Sequence, residues 1–127
     1  MAKKDKDSDL ALVRRVKKGE YSAFDLLVLK YQSRVIAIST KYVKDIQLAE
    51  DIAQESFFKA YKSIDSFREE SAFYTWLYRI TANTAINYLS SKKRKSELLE
   101  ADVSNRERES IDIFDIPGGE SPEDILN

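Results

Sequence analysis

Residues 71–89 read SAFYTWLYRITANTAINYL, and the spacing within this stretch decides the fold. Phe73, Leu77, Ile80, Thr84 and Tyr88 recur at steps of three and four, which is one buried stripe of an amphipathic helix. The opposite face carries Thr75, Arg79, Asn83, Ile86 and Asn87. Ser71 stands where an N-cap belongs, and the helix is predicted to run to about Lys95.

The same grammar extends outward. Glycine occurs only at positions 19, 118 and 119, and proline only at 117 and 122, so nothing between Gly19 and Pro117 strongly breaks a helix. A first helix is predicted from an N-cap at Ser8 or Asp9 to a stop at Gly19. A second opens at Ser22, with Asp25 completing a partial capping box. Its stripe is Phe24, Leu27, Val28, Tyr31, Val35, Ile38 and Tyr42. A third follows Asp45 and runs to about Ile64 on a stripe of Ile46, Ala49, Ala53, Phe57, Ala60 and Ile64. A neighbouring face holds Asp51, Gln54, Glu55, Phe58 and Lys59, a polar set with one exposed ring. The expected architecture is all-α: a compact bundle of about four helices over residues 1–95, followed by a mostly disordered acidic tail over 96–127.

Composition narrows the chemistry. The chain has 127 residues, no cysteine and no histidine. Disulfides and thiolate metal sites are excluded, and the commonest general base and metal ligand is missing. No metal and no cofactor is expected. A carboxylate-only hydrolase would need Asp51 and Glu55, one turn apart, but no matching acidic pair stands on another helix. The first residues are charged with no apolar run behind them, and no stretch approaches the ~18 apolar residues of a membrane span, so a cytoplasmic protein without membrane insertion is expected. The net charge of −1 hides an asymmetry. Arg68 to Lys95 holds six basic and two acidic residues, whereas Glu97 to Asn127 holds ten acidic and two basic ones.

Phe67, Phe73, Tyr74, Trp76 and Tyr78 place five aromatics within twelve residues. Rings beside amides and fixed positive charge suit single-stranded nucleic acid. Phe73 and Leu77 read equally as core. Tyr74 and Tyr78 lie on a second face, where at least one ring is expected to meet solvent or a ligand, and Trp76 suits either role. The loop from Phe67 to Ala72 leads into a helix N-terminus whose free N–H groups favour acceptors, and Asn83 is placed to pair with the edge of an extruded base. An ordinary cap followed by a surface asparagine explains the same residues. The Lys92-Lys93-Arg94-Lys95 run suits a helix C-terminus and a phosphate equally.

In this order, the segments resemble the polymerase-binding half of bacterial sigma factors, in particular the extracytoplasmic-function (ECF) group and its envelope-stress branch. The likeness covers residues 9–95. It is carried by residues 9–19 with 23–28, by residues 51–55 with 58–61, and most specifically by residues 65–68 with 71–80 and 83–85. The resemblance implies that Asp51, Gln54, Glu55, Phe58 and Lys59 meet the clamp helices of the largest subunit of core RNA polymerase. It implies that Phe67, Arg68, Ser71, Ala72, Phe73 and Asn83 form a pocket for a flipped base of the −10 non-template strand. Trp76, Arg79, Asn87, Lys92, Lys93 and Arg94 would then stack on DNA or hold its backbone. An anti-sigma factor is an implied further partner, and a helical protein-interaction module without DNA recognition is the rival reading. Two departures matter. Trp76-Leu77 stands where many housekeeping members carry a Trp-Trp pair, so one wedge ring is missing. The family continues through a linker into a domain that reads the −35 element, and these 127 residues stop where that domain is expected.

Overall fold

The computed structural model describes residues 3–101. Among them it is all-α: α1 (Lys3–Lys17), α2 (Ser22–Ser39), α3 (Ile46–Lys62), a single 3-10 turn (Ile64–Ser66) and α4 (Phe73–Ala101). The expectations for residues 102–127, most of the acidic tail, lie outside the described residues.

Each boundary has a local cause. α1 is terminated just before Gly19, whose φ of 101° is the left-handed conformation that glycine adopts without strain. The Glu20 amide donates to the Arg15 carbonyl at 2.9 Å and the Gly19 amide to that of Val16 at 2.9 Å, the paired bonds of a Schellman motif. Asp45 caps α3 by accepting from the Gln47 amide at 2.8 Å. The capping box expected at Ser22 does not form: Ser22 already lies within α2, and Tyr21 precedes it with no side-chain cap bond. Ser71 is not the cap of α4 either, because its hydroxyl reaches the Ala72 carbonyl at 3.3 Å.

α4 is the axis of the bundle, packed on α2 and α3, while α1 covers α2 and touches the 3-10 turn. Leu27, Tyr31, Val35, Phe73 and Leu77 meet in the main core. A smaller cluster of Val43, Ala49, Ile52 and Ala85 closes the far end between α3 and α4. The polar residues inside are accommodated locally. Ser39, Ser56, Thr81 and Thr84 each donate to the carbonyl four residues back, so no hydroxyl among these four is left without an acceptor.

Asp9 corrects the first boundary. It lies inside α1, which begins at Lys3, and it is fully buried. Lys30 donates to one carboxylate oxygen at 2.6 Å and the Tyr31 hydroxyl to the other. A charge removed from water must be paired, and this pair ties α1 to α2. Burial, reinforced by Asp9, pushes the Tyr31 phenol well above its ordinary value, so it remains a neutral donor.

Other expectations also change with packing. Ile46 was placed in the buried stripe of α3 but is exposed in its first turn. Thr75, assigned to the outer face of α4, is buried. Tyr74 and Tyr78 are both buried, because α2 lies across that second face. α4 continues unbroken past Lys95 to Ala101, so the last helix runs beyond its expected end.

Candidate nucleic-acid interface

The loop between the 3-10 turn and α4 is held from two sides. Beneath it, the Phe67 ring packs on Phe73 and Trp76 at centroid distances of 6.0 and 5.0 Å. Phe73 is fully buried and Phe67 is 3% exposed. Neither ring can offer a face to a base, so these two expected pocket residues form the floor of the loop. Above it, α1 grips the backbone and one side chain. Lys17 donates to the Phe67 carbonyl at 2.5 Å, and Arg14 pairs with Glu69 at 2.6 Å.

Glu69 has a φ of 63°, an unusual conformation for a residue with a side chain. The Arg14 hydrogen bond holds the Glu69 carboxyl below the usual carboxylate range. A depressed folded-state pKa means that the contact is present above the ordinary carboxylate pKa and is lost as pH falls through the lowered one. At neutral pH the loop is therefore held by α1. Arg14, Lys17 and Glu69 are not legible as a unit in the sequence, since 50 and 55 residues separate the partners. A non-glycine residue at a left-handed turn leaves no periodic signal.

On this held loop Arg68 is exposed, and Ser71 and Ala72 are half-buried. Asn83 is exposed on α4, as are Arg79 and Asn87, while Trp76 is half-buried. Asn83 and Asn87 are one turn apart, so their amides share a face. The aromatic cluster itself is spent internally. Tyr74 stacks on Tyr31 at 5.2 Å, and Phe73 meets Tyr31, Phe67 and Trp76. Of the five rings, only Trp76 keeps appreciable exposure. The core reading of this cluster prevails, and only the Trp76 indole remains accessible to solvent.

Lys92, Arg94 and Lys95 are exposed, and Lys93 pairs with Glu97 at 3.6 Å. These cations lie inside α4, short of its last turn, which has no basic residue. The helix dipole acts only within that final turn, so it does not account for the run.

On α3, Asp51, Gln54, Glu55 and Phe58 are exposed, with Lys59 pairing to Glu55 at 3.1 Å. Phe58 is 59% exposed, and Lys62 sits 5.2 Å from its ring centroid. Among the described residues, no three acidic side chains gather as a metal ion would require. No described helix is long and apolar enough to cross a membrane. A groove of about 370 Å³ between α3 and α4 is lined by Asp51 and Glu55 on one side and Asn87 and Tyr88 on the other. Residues assigned from sequence to two different partners thus share one groove.

The family model for Sigma-70 region 2 matches residues 27–95. An RNA polymerase sigma-H factor of Pseudomonas aeruginosa is 52% identical over 89 residues, 70% of this chain and 46% of that protein. An ECF RNA polymerase sigma-E factor of Haemophilus influenzae is 52% identical over 101 residues, 77% of this chain and 53% of that protein. The chain spans about half the length of the curated relatives it matches. A solved structure of an engineered region 2 of sigmaE in complex with GTAAAA is similar at a TM-score of 0.64 and 43% identity, covering 75% of this chain and 97% of that one.

Proposed function

Because the chain belongs to the Sigma-70 region 2 family, we propose that it is the part of an ECF-type sigma factor that docks on core RNA polymerase and captures an unpaired base of the promoter −10 element. The observation that carries this reading is Asn83. Its amide is exposed on α4, the helix that the α1-held loop leads into, in a chain 43% identical to a region 2 bound to GTAAAA. Arg68, Ser71 and Ala72 would border the base, with Phe67 and Phe73 beneath. Arg79, Asn87 and the Lys92-to-Arg94 cations would hold the strand and its backbone.

Energetics set the limits of the isolated chain. Extruding a base costs a few kcal/mol, and stacking returns roughly 1–3 kcal/mol per base. With Trp76 alone among these rings keeping appreciable exposure, stacking does not cover that cost. Polymerase must supply the remaining contacts, which it does by docking on Asp51, Gln54, Glu55, Phe58 and Lys59. The exposed Phe58 ring favours a protein partner on this face, because a large apolar group gains most from being covered.

The expected result in a mobility-shift assay follows. The chain with core polymerase retains a single-stranded GTAAAA oligonucleotide. The chain alone retains it weakly, with binding falling steeply as salt rises. Tight binding of duplex promoter DNA by the free chain at physiological salt would contradict the proposal.

A further inference from the structure

Arg34 is an exposed residue of α2 that nevertheless has a fixed place. Its guanidinium carbon lies 5.4 Å from the Tyr74 ring centroid and 5.8 Å from that of Tyr31. Those two rings are buried and stacked on one another at an interplanar angle of 18°. The Tyr31 hydroxyl is tied to Asp9, so the aromatic wall cannot shift easily. Among the described residues no carboxylate forms an ion pair with Arg34, whereas Arg14 and Arg15 each have one and Lys30 has two. A guanidinium against aromatic rings keeps its outer N–H groups for a planar or tetrahedral anion, and part of its side-chain entropy is already lost. The electrostatic surroundings are mixed, with Lys41 acting on Tyr74 and the carboxylates of Asp9 and Asp5 acting on Tyr31. Burial raises the Tyr74 phenol pKa, while the charges of Arg34 and Lys41 oppose the rise.

The location matters as much as the chemistry. Tyr74 is the second residue of α4, separated from the 67–72 loop only by Phe73. Tyr74 and Asn83 are nine residues apart, which at about 3.6 residues per turn places them on opposite sides of the helix. Lys92 is nineteen residues beyond Phe73, roughly 28 Å along the axis at 1.5 Å per residue. A strand with one base in the loop has two arms. One can follow Asn83, Asn87 and the distant cations, and the start of α4 on the Tyr74 side is open to the other through the exposed Arg34.

We propose that Arg34 is a phosphate-binding residue for that second arm, holding the backbone of the strand on the side of the loop away from Asn83 and Asn87. The inference rests on the −10 reading above. The fork of a guanidinium matches phosphate oxygens, and the contact carries no base information.

The test uses the full chain with core RNA polymerase and three single-stranded probes: GTAAAA alone, GTAAAA extended by four thymidines at its 5′ end, and the same extension at its 3′ end. Wild type should gain affinity from both extensions. Arg34→Ala should lose that gain for one extension only, by about three- to tenfold, with the log affinity–log salt slope smaller by about 0.7. Its base preference at each GTAAAA position should be unchanged. Arg34→Lys, which keeps the charge and the fold without the planar fork, should recover the slope and only part of the affinity. Equal affinities and slopes for wild type and both variants on all probes would overturn the proposal. Weakened binding of Arg34→Ala to core polymerase, with DNA affinity of the formed complex intact, would overturn it in favour of an acidic protein contact. Absence of any GTAAAA binding by the wild-type complex would instead remove the −10 reading itself.

Discussion

Phe73→Ala should lower the stability of the domain by about 3–5 kcal/mol, the range for removing a fully buried phenyl ring and leaving a cavity. The ring is completely enclosed and stands within 6.1 Å of Tyr31, 6.0 Å of Phe67 and 5.8 Å of Trp76 by centroid. Its loss therefore removes contacts with α2, with the loop and with its own helix at once. A small domain has roughly 5–15 kcal/mol in total, so such a variant is left marginal. Phe67 would also lose part of its support, and the loop above it should lose DNA binding under conditions where the chain is still folded. Urea denaturation measures the first effect, and oligonucleotide binding below the midpoint measures the second. Arg68→Ala is the control, since an exposed loop side chain should change stability by less than about 0.5 kcal/mol. A Phe73→Ala domain as stable as wild type would mean that the core is not built around this ring.

Glu55→Lys should weaken binding to core polymerase by about 2 kcal/mol or more, roughly 30-fold. Glu55 is exposed on α3 and pairs only at the surface with Lys59. Reversal leaves two lysines one turn apart, a cost to the helix of a few tenths of a kcal/mol. The fold should thus survive, and the defect should appear in co-purification or a titration with core enzyme. Unchanged affinity would remove the α3 face as the polymerase contact. The shared groove adds a second readout. Asn87 lines the same depression as Glu55, so Asn87→Ala should be examined in the same titration for an effect that pure DNA contact would not produce.

The helices were legible because their breakers and stripes are local. Gly19 stops α1, Asp45 caps α3, and the Phe73–Leu77 spacing identifies the core edge of α4. What the sequence concealed involves partners far apart in the chain. Asp9 looks like a cap until Lys30 and Tyr31 are found around it, 21 and 22 residues away. Tyr74 and Tyr78 look free because a single stripe implies one neighbour, whereas α4 packs on both α2 and α3. The concentration of rings that suggested base stacking turned out to be a core that supports the loop. The polar half of the candidate site was visible by type and order: Asn83, Asn87 and Arg79 are exposed as expected. Its mounting on α1 through Arg14 and Lys17 was not, since neither residue carries a local pattern that points to a loop 50 residues downstream.

The central claim is that Asn83 reads one unpaired base. Its most direct measurement is the affinity of the chain–polymerase complex for GTAAAA oligonucleotides permuted one base at a time, compared between wild type and Asn83→Ala. The variant should lose discrimination at a single position, by about 1–2 kcal/mol or roughly 5- to 30-fold, while the other positions and polymerase affinity stay level. An equal loss at every position, or unchanged discrimination throughout, would contradict it.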